Sequence, residues 1–211
     1  MSLRDRRIQY ETAGLERADL LDDPIEQWHR WYDQASEAGV SEPHAMTIST
    51  IGEDGAPDSR VVLARDVSAD GIAFYSNYQS AKSRQLDRAS GVSVVFAWLD
   101  LHRQVRVRGS VERLSTAKSD EYFASRPRDS QIGAWASPQS EVIADREVLD
   151  AAIRYYTEQF SDGAVPRPPH WGGWLVIPQE FEFWQGRPNR LHDRFRYRRI
   201  DGGWQIDRLA P

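Results

Sequence analysis

Near its C-terminus the chain reads Phe-Glu-Phe-Trp-Gln-Gly-Arg-Pro-Asn-Arg-Leu-His-Asp-Arg-Phe-Arg-Tyr, from Phe181 to Tyr197. The two ends of this stretch are rich in aromatic residues, and such runs are typical of β-strands. The predicted strands are 181–184 and 195–197. Two short strands around a loop predict a hairpin that presents the polar residues of the loop at one edge of a sheet.

The loop of this hairpin carries an unusual concentration of basic side chains. Arg190, His192 and Arg194 alternate, so they share one face if the segment is extended. Three such side chains on one face are costly unless an anion lies opposite them. A solvated arginine face on an edge strand is the alternative. Trp184 and His192 favour a site for a planar, phosphorylated ligand.

The overall composition describes an ordinary globular protein. The chain has 211 residues, of which 40% are hydrophobic, so one domain with a substantial core is expected. We expect a flexible N-terminal arm at 1–21 and a single domain at 22–211. The net charge of −5 argues against a nucleic-acid partner or an anionic membrane surface. With no apolar run of transmembrane length and no signal-peptide pattern, a cytoplasmic location is expected.

Several common kinds of chemistry lack their sequence patterns. The chain has no Cys, which excludes disulfides, thiolate metal sites and a Cys nucleophile. Its five His show no H-E-x-x-H or paired spacing, so no metal site is expected. Neither the Rossmann nor the P-loop glycine pattern occurs. Phosphate must therefore be held by scattered Arg, Lys, Ser and Tyr side chains.

Hydrophobic periodicity predicts many short strands with helices inserted between them. Asp23 and Pro24 begin a helix that ends at Gly39. Further helices are predicted at 80–88, 116–125 and 145–160, the last with an apolar side of Val148, Ile153, Tyr156 and Phe160. Additional strands are predicted at 46–51, 60–64, 72–75, 92–98, 104–111, 174–177 and 204–206, the first three as an antiparallel meander. This pattern is mainly β (α+β) and favours a barrel or sandwich with peripheral helices.

Two further clusters of side chains are suited to binding anions. The first joins the run 60–65 to Lys82, which lies at a predicted helix start. The second surrounds a turn expected at Pro127 and contains Tyr122, Arg126 and Ser130. Taken alone, Arg60 and Lys82 each fit an ordinary surface charge better than a ligand contact. Two clusters and a cationic hairpin together suggest two phosphorylated ligands.

Three long motifs carry a family resemblance. Residues 126–135, 182–186 and 190–194, with the tail 204–211, resemble pyridoxine/pyridoxamine 5′-phosphate oxidases. The resemblance implies an FMN-binding split β-barrel that forms a homodimer, with FMN at the subunit interface. It also implies oxidation of the phosphorylated B6 vitamers by O2 to pyridoxal 5′-phosphate, with release of H2O2.

The same resemblance implies a role for individual residues. Arg190 and His192 match the catalytic pair, and His192 either positions the substrate or acts as a base. The implied substrate-binding residues are Arg7, Tyr10, Arg65, Tyr122, Arg126, Ser130, Arg190 and His192. The implied FMN-binding residues are Arg60, Val61, Val62, Leu63, Ala64, Arg65, Tyr75, Ser76, Lys82, Gln104, Gln139, Ser140, Trp184 and Arg194.

Some positions depart from the family pattern. Arg65 stands where Lys is usual, and Ala81 stands where Arg is frequent. Arg keeps the charge but is planar and bulkier, so the exchange at residue 65 is not automatically conservative. Two alternative functions stay open from the sequence: a split-barrel flavin oxidase with another small substrate, as in phenazine-forming relatives, and a non-catalytic flavin or pyridoxal-phosphate carrier.

Overall fold

The computed structural model describes residues 10–88 and 91–211. Within these ranges nine strands form one antiparallel sheet, and five α-helices surround it. The strands are β1 Ala45–Ile51, β2 Pro57–Leu63, β3 Asp66–Ser68, β4 Gly71–Asn77, β5 Gly91–Trp98, β6 Arg103–Arg113, β7 Trp171–Gln185, β8 Asp193–Ile200 and β9 Gly203–Leu209. The helices are α1 Pro24–Glu37, α2 Ala81–Arg88, α3 Thr116–Ser125, α4 Arg128–Ala136 and α5 Arg146–Gln159. The predicted mainly β (α+β) class is confirmed.

The long strand β7 joins the two parts of the sheet. One edge of β7 pairs with β6, whereas the other edge pairs first with β4 and then with β8. The register shifts between Arg108 and Gly109, which gives β7 one extra residue there. Such a bulge bends a strand and increases its twist. The prediction of two separate strands at 174–177 and 181–184 is wrong, because Pro178 lies at this bulge, where a missing N–H is tolerated.

The order of the strands requires the sheet to curl. The pairing path runs β2-β1-β5-β6-β7-β4-β3, so β2 and β3 lie at its opposite ends. Only Ala64 and Arg65 connect those two strands, and so short a connection spans at most roughly 11 Å. The ends of the path therefore meet, and the sheet forms a barrel. The predicted meander is wrong in one respect: β2 pairs with β1, but β4 pairs with β3 and β7.

Helix α1 closes one end of the core. Its N-cap is Asp23, whose Oδ1 accepts the backbone N–H of Ile25 at 2.7 Å, and Pro24 occupies the first helical position. Its apolar face inserts Trp28 against Phe96 of β5, with ring centroids 5.1 Å apart. Gly39, which has a φ of +75°, follows the last turn. The predicted start and end of this helix are confirmed.

The segment that precedes α1 also contacts the core. Leu15 and Leu20 are buried in it, and the Tyr197 hydroxyl donates to the backbone oxygen of Leu21 at 2.7 Å. Ordered packing thus begins before residue 22. The division into an arm and a single domain stays a prediction. Arg7 lies outside the described residues.

Helix α5 lies at the periphery, against α4. Tyr156 and Phe160 pack around Trp135, with ring centroids 5.6 and 5.4 Å from it. Val148 and Ile153 are exposed, so the apolar side predicted for this helix is wrong in its first half. Among the described residues, no helix combines the length and apolarity needed to cross a bilayer.

Candidate active site

A cavity of about 500 Å³ opens between β2, β4 and the N-terminal ends of α2 and α4. Four basic side chains line it, and no Asp or Glu is found among its described lining residues. The basic residues are Arg60, Arg65, Lys82 and Arg126. The cavity brings together the two anion-binding clusters, although Lys82 of the first and Tyr122 of the second are forty positions apart in the sequence. Such a concentration of positive charge is suited to phosphate groups.

Lys82 lies at the start of α2, and its partners among the described residues are neutral. Its Nζ donates to Ser76 Oγ at 3.2 Å, Gln139 Oε1 at 3.3 Å and Ser80 Oγ at 3.4 Å. Burial lowers the pKa of Lys82, and the positive charge of Arg60 lowers it further. An anion bound here would offset both effects. Lys82 is therefore prepared for a ligand that carries negative charge.

Arg60 is held in place by side chains of β1, β2 and α2. It forms an ion pair with Asp58, and its Nη1 donates to Thr50 Oγ1 at 2.6 Å. Its Nη2 donates to Gln85 Oε1 at 3.1 Å, and Gln85 belongs to α2. These contacts fix the guanidinium at the rim of the cavity and tie β2 to the helix that carries Lys82.

Arg126 is a half-buried cation of the cavity. Its Nη1 is buried and forms no hydrogen bond with any described residue. Its guanidinium lies over the Trp171 ring, 4.6 Å from the centroid. Burial lowers the pKa of Arg126, although Tyr122 acts in the opposite direction. A buried guanidinium nitrogen without an acceptor is costly in the absence of a ligand, and an anion would satisfy it.

The aromatic residues beside Arg126 form a continuous stack. Tyr122 lies on Tyr75 at 3.9 Å between centroids, and Tyr75 lies on Trp171 at 5.6 Å. Trp171 was not among the predicted site residues, because the strand was expected to begin three residues later. The run Trp-Gly-Gly-Trp at 171–174 is the signal that could have identified it. This stack forms a flat wall of the cavity.

The turn predicted at Pro127 is instead the junction of two helices. Pro127 ends α3 and is the N-cap residue of α4, where its fixed φ is compatible with a helix start. The Pro127 oxygen accepts the backbone N–H of Ser130 at 2.9 Å. Gln131 Nε2 donates to the Phe123 oxygen at 2.9 Å and so anchors α4 to the end of α3. Ser130 thereby lines the cavity from the first turn of α4.

Most residues predicted to bind FMN meet in the same cavity. Ser76 Oγ donates to Gln139 Oε1 at 3.2 Å. Ser140, which has a φ of +74°, accepts the backbone N–H of Ala81 at 3.1 Å and so satisfies a free donor at the start of α2. Val61, Val62 and Leu63 line the cavity, whereas Ala64 is buried outside its lining. Asn77 and Ser137 line it too and were not predicted from the sequence.

The other predicted residues form a second group on the outward face of the sheet. Gln104, Trp184 and Arg194 are direct cross-strand neighbours on β6, β7 and β8. They alternate with the buried core residues Val105, Phe183 and Phe195. The three side chains therefore form one row on the face that points away from the core.

His192 lies at the end of this row. Its ring is 4.6 Å from Trp184, and its Nδ1 accepts the backbone N–H of Arg187 at 3.0 Å. The neutral imidazole consequently carries its proton on Nε2. Burial lowers the pKa of His192, and the charge of Arg190 lowers it further, against an opposing effect of Asp193.

Arg190 does not share an extended face with its neighbours. Residues Pro188–Arg190 form a 3₁₀ turn, and Asn189 and Arg190 have φ values of +57° and +65°. The predicted alternation of Arg190, His192 and Arg194 along one strand is wrong, because β8 begins only at Asp193. Arg190 is exposed at the tip of the hairpin.

Tyr10 covers the second group. Its ring stacks on His102 at 4.0 Å between centroids and lies 5.8 Å from His192. Gly186 permits this approach, since a Cβ there would come within 2.5 Å of the Tyr10 ring. His102 was not predicted as a site residue, and nothing in its sequence context indicated the contact.

Within one chain the two groups belong to different surfaces. None of the residues of the second group lines the cavity that contains Lys82 and Arg126. These residues are Tyr10, Gln104, Trp184, Arg190, His192 and Arg194. One chain therefore presents two partial sites. One is the cationic cavity, and the other is the row of Gln104, Trp184 and Arg194 with His192 and Arg190 at its end.

Comparison with known sequences identifies the family. Residues 32–160 match the profile described as "Pyridoxamine 5'-phosphate oxidase". Residues 171–211 match the profile described as "Pyridoxine 5'-phosphate oxidase C-terminal dimerisation region". A protein named pyridoxine/pyridoxamine 5'-phosphate oxidase from Synechocystis is 49% identical over 211 residues, which cover 100% of this chain and 99% of the relative.

Two solved structures show the same fold. PhzG from Burkholderia lata, in complex with tetrahydrophenazine-1-carboxylic acid, has a TM-score of 0.88 and 30% identity, and the match covers 96% of this chain and 100% of that one. A pyridoxamine 5'-phosphate oxidase-related, FMN binding protein from Nostoc punctiforme has a TM-score of 0.69 and 15% identity, over 87% and 97% of the two chains. With both profiles and the full-length relative in agreement, this chain belongs to the pyridoxamine 5'-phosphate oxidase family and has its split-barrel fold.

Proposed function

We propose that this protein is an FMN-dependent oxidase of phosphorylated B6 vitamers. The reaction converts pyridoxine 5′-phosphate and O2 to pyridoxal 5′-phosphate and H2O2. With pyridoxamine 5′-phosphate, water is also consumed and ammonia is released. The observation that carries the proposal is the cavity around Lys82 and Arg126, which has four cations and no carboxylate in its described lining.

The residues of the cavity fit the phosphate of FMN. Lys82 has only neutral partners, and Arg60 is fixed beside it. We assign the FMN phosphate to these two cations, with Ser76 and Gln139 as further hydrogen-bonding groups. At the start of α2, the N–H groups of Ala81 and Ser83 already donate to the Ser140 and Ser80 hydroxyls, so this assignment rests on the side chains.

A second phosphate fits at the opposite end of the cavity. The buried, unpartnered Nη1 of Arg126 requires an acceptor, and the Tyr122 and Ser130 hydroxyls line the same space. We assign the substrate phosphate to these three residues and to Arg65. The Trp171 ring holds the Arg126 guanidinium flat, which favours a bidentate contact.

The chemistry of oxidation comes from the cofactor, and the chain supplies orientation and charge. FMN held by these residues would supply the acceptor for the hydride from C4′ of the substrate and the route of the electrons to oxygen. Arg190 orients the substrate and stabilises charge that develops during transfer. His192 can donate a hydrogen bond to the substrate through Nε2, because Nδ1 already accepts the Arg187 N–H. We therefore assign His192 a positioning role rather than that of an obligatory base.

A homodimer accounts for the division of the site. The cationic cavity and the row containing Trp184 lie on different surfaces of one chain. In a twofold dimer, the cavity of one subunit can face the row of its partner. The region matched by the dimerisation profile, 171–211, contains Trp184, Arg190, His192 and Arg194. We propose that two such composite sites form per dimer, each with one FMN.

The alternative functions are less well supported. The relatives named pyridoxine/pyridoxamine 5'-phosphate oxidase are about 49% identical to this chain, compared with 30% for PhzG. The pocket around Arg126 also suits a phosphorylated substrate. A phenazine precursor as substrate would not require such a phosphate pocket. A non-catalytic carrier would bind flavin or pyridoxal phosphate but would not produce peroxide.

Flavin spectroscopy and a turnover assay test the proposal together. The purified protein should show the absorption bands of bound FMN and should produce H2O2 from pyridoxine 5′-phosphate. Arg190→Ala should lower kcat by about a hundredfold or more and retain the flavin bands, because we assign Arg190 to the substrate and not to the flavin. A wild-type protein that binds FMN but produces no peroxide from either vitamer would reject the proposed activity. Loss of flavin in Arg190→Ala would reject the role assigned to Arg190.

A further inference from the structure

Glu182 is a buried carboxylate on the outward face of the sheet. Its strand neighbours Phe181 and Phe183 belong to the core, so Glu182 points to the other side, where its side chain is nevertheless only 3% exposed. Its Oε2 accepts Arg106 Nη2 at 2.6 Å, and its Oε1 accepts Arg194 Nε at 2.9 Å. Both oxygens are thus used by arginines from the two adjacent strands.

The contacts of Arg194 define its orientation. Nε donates to Glu182 and Nη1 donates to the Ala210 oxygen at 2.8 Å. Within the part of the chain that the structure describes, Nη2 donates no hydrogen bond and is the nitrogen left for a ligand. Arg194 is the cross-strand neighbour of Trp184, which is in turn the neighbour of Gln104. The Glu182 carboxylate therefore fixes one end of the row of residues that are predicted to bind the flavin.

We propose that Glu182 is a positioning residue for the flavin, acting through Arg194. This inference rests on the proposed function, because Arg194 is a flavin contact only if the chain binds FMN. An arginine side chain has many rotamers, and two charge-assisted hydrogen bonds select one of them before the ligand arrives. Glu182 also offsets one of the two positive charges of Arg106 and Arg194, so the three side chains together carry a single net positive charge. A cation held ready in this way stabilises negative charge on a flavin ring.

The exchange Glu182→Gln changes the hydrogen bonding of the side chain and keeps its size. An amide has nearly the shape of a carboxylate, but its NH2 group cannot accept a hydrogen bond. One of the two arginines then faces a donor and must move. We expect apoprotein with this change to bind FMN about tenfold or more weakly in a fluorescence-quenching titration. The absorption spectrum of the bound flavin should shift toward that of free FMN.

Glu180→Gln is the matched control. Glu180 lies two residues away on the same face of β7, and its ion pair with Arg108 is 3.9 Å long. The control removes the same charge from the same strand, but Arg108 is not a predicted flavin contact. FMN affinity and the flavin spectrum should match those of the wild type.

A double-mutant cycle tests whether Glu182 acts through Arg194. Once Arg194→Gln is present, adding Glu182→Gln should cause no further loss of FMN affinity. Additive losses, or a Glu182→Gln protein with wild-type affinity and spectrum, would overturn the proposal. If Glu182→Gln does not fold, Glu182→Asp is titrated instead, and wild-type affinity there would overturn it as well. Wild-type apoprotein that takes up no FMN would reject the proposed function too, whereas the preceding outcomes reject only the role of Glu182.

Discussion

At the scale of single residues, the site depends on which hydrogen-bonding groups are already occupied. Among the described residues, Lys82 has neutral acceptors and Arg126 Nη1 has none, whereas His192 Nδ1 already accepts the Arg187 N–H. Sequence reasoning predicts all three as site residues. It could not assign the His192 tautomer, because the donor is a backbone group positioned by the hairpin turn.

The tautomer of His192 leads to a prediction about pH. Burial and the charge of Arg190 lower the pKa of His192, so the ring is neutral near neutral pH. Protonation at lower pH places a hydrogen on Nδ1, against the Arg187 N–H. We expect His192 to make kcat/KM for pyridoxine 5′-phosphate fall as the pH decreases through this lowered pKa, and to add no pH dependence above it.

The matched variant for this prediction is His192→Asn. Its side-chain oxygen can accept the Arg187 N–H but does not titrate. Its kcat/KM should be lower than that of the wild type near neutral pH and should lack the contribution of His192 to the acid limb. The substrate phosphate, with a second pKa of about 6, titrates equally in both assays. Identical pH profiles would contradict the assignment of the acid limb to His192.

At the scale of elements, the bulge in β7 determines which residues face the core. Before the bulge, Trp174 and Val176 are buried, and after it Phe181 and Phe183 are buried. The core-facing positions thus change from even to odd numbers, which an extra residue produces in a strand of period two. Without this change of phase, Trp184 would point into the core. It would then not share the outward face with Gln104 and Arg194.

Gly109 is the residue of β6 opposite the bulge. A Cβ at this position would lie 2.0 Å from the backbone oxygen of Ile177, which is closer than atoms can approach. We expect Gly109→Ala to lower the free energy of unfolding by roughly 2 kcal/mol or more, measured by urea denaturation. Gly91→Ala is the control, because a Cβ on Gly91 meets nothing within 4 Å and should change stability by less than about 0.5 kcal/mol. Equal stabilities of the two variants would show that the bulge tolerates a side chain.

At the scale of the whole molecule, the proposed active site needs two chains. Arg126 lines the cationic cavity, whereas Arg190 lies at the tip of the β7–β8 hairpin and does not line that cavity. A site that used both residues of one chain would require them to share a surface. In the proposed homodimer, every site takes one of these residues from each subunit.

Mixed dimers test this arrangement directly. Arg126→Ala and Arg190→Ala chains, each with its own affinity tag, are co-expressed, and the dimer carrying both tags is isolated. If every site combines Arg126 of one subunit with Arg190 of the other, one site of the mixed dimer is intact. Its turnover should then be about half that of the wild-type dimer, while both parental variants are nearly inactive. A mixed dimer as inactive as its parents would contradict a shared site.

The sequence by itself determined the features that depend on local chemistry. The capped start of α1 at Asp23 and Pro24, the strand-forming runs and the phosphate-binding residue types could all be identified, because each follows from neighbouring residues. The long motifs also identified the family and therefore the fold. Pro127 shows the limit of such reasoning: it was interpreted as a helix breaker, yet the same proline also begins α4.

Only the tertiary structure decided how these pieces are arranged. The bulge beside Gly109 depends on pairing between β6 and β7, which are more than fifty residues apart in the chain. The burial of Glu182 between two arginines and the separation of Arg126 from Arg190 likewise depend on strand pairing and barrel closure. Such pairing is set by contacts between distant segments, and no local pattern encodes which face or surface a functional side chain will occupy.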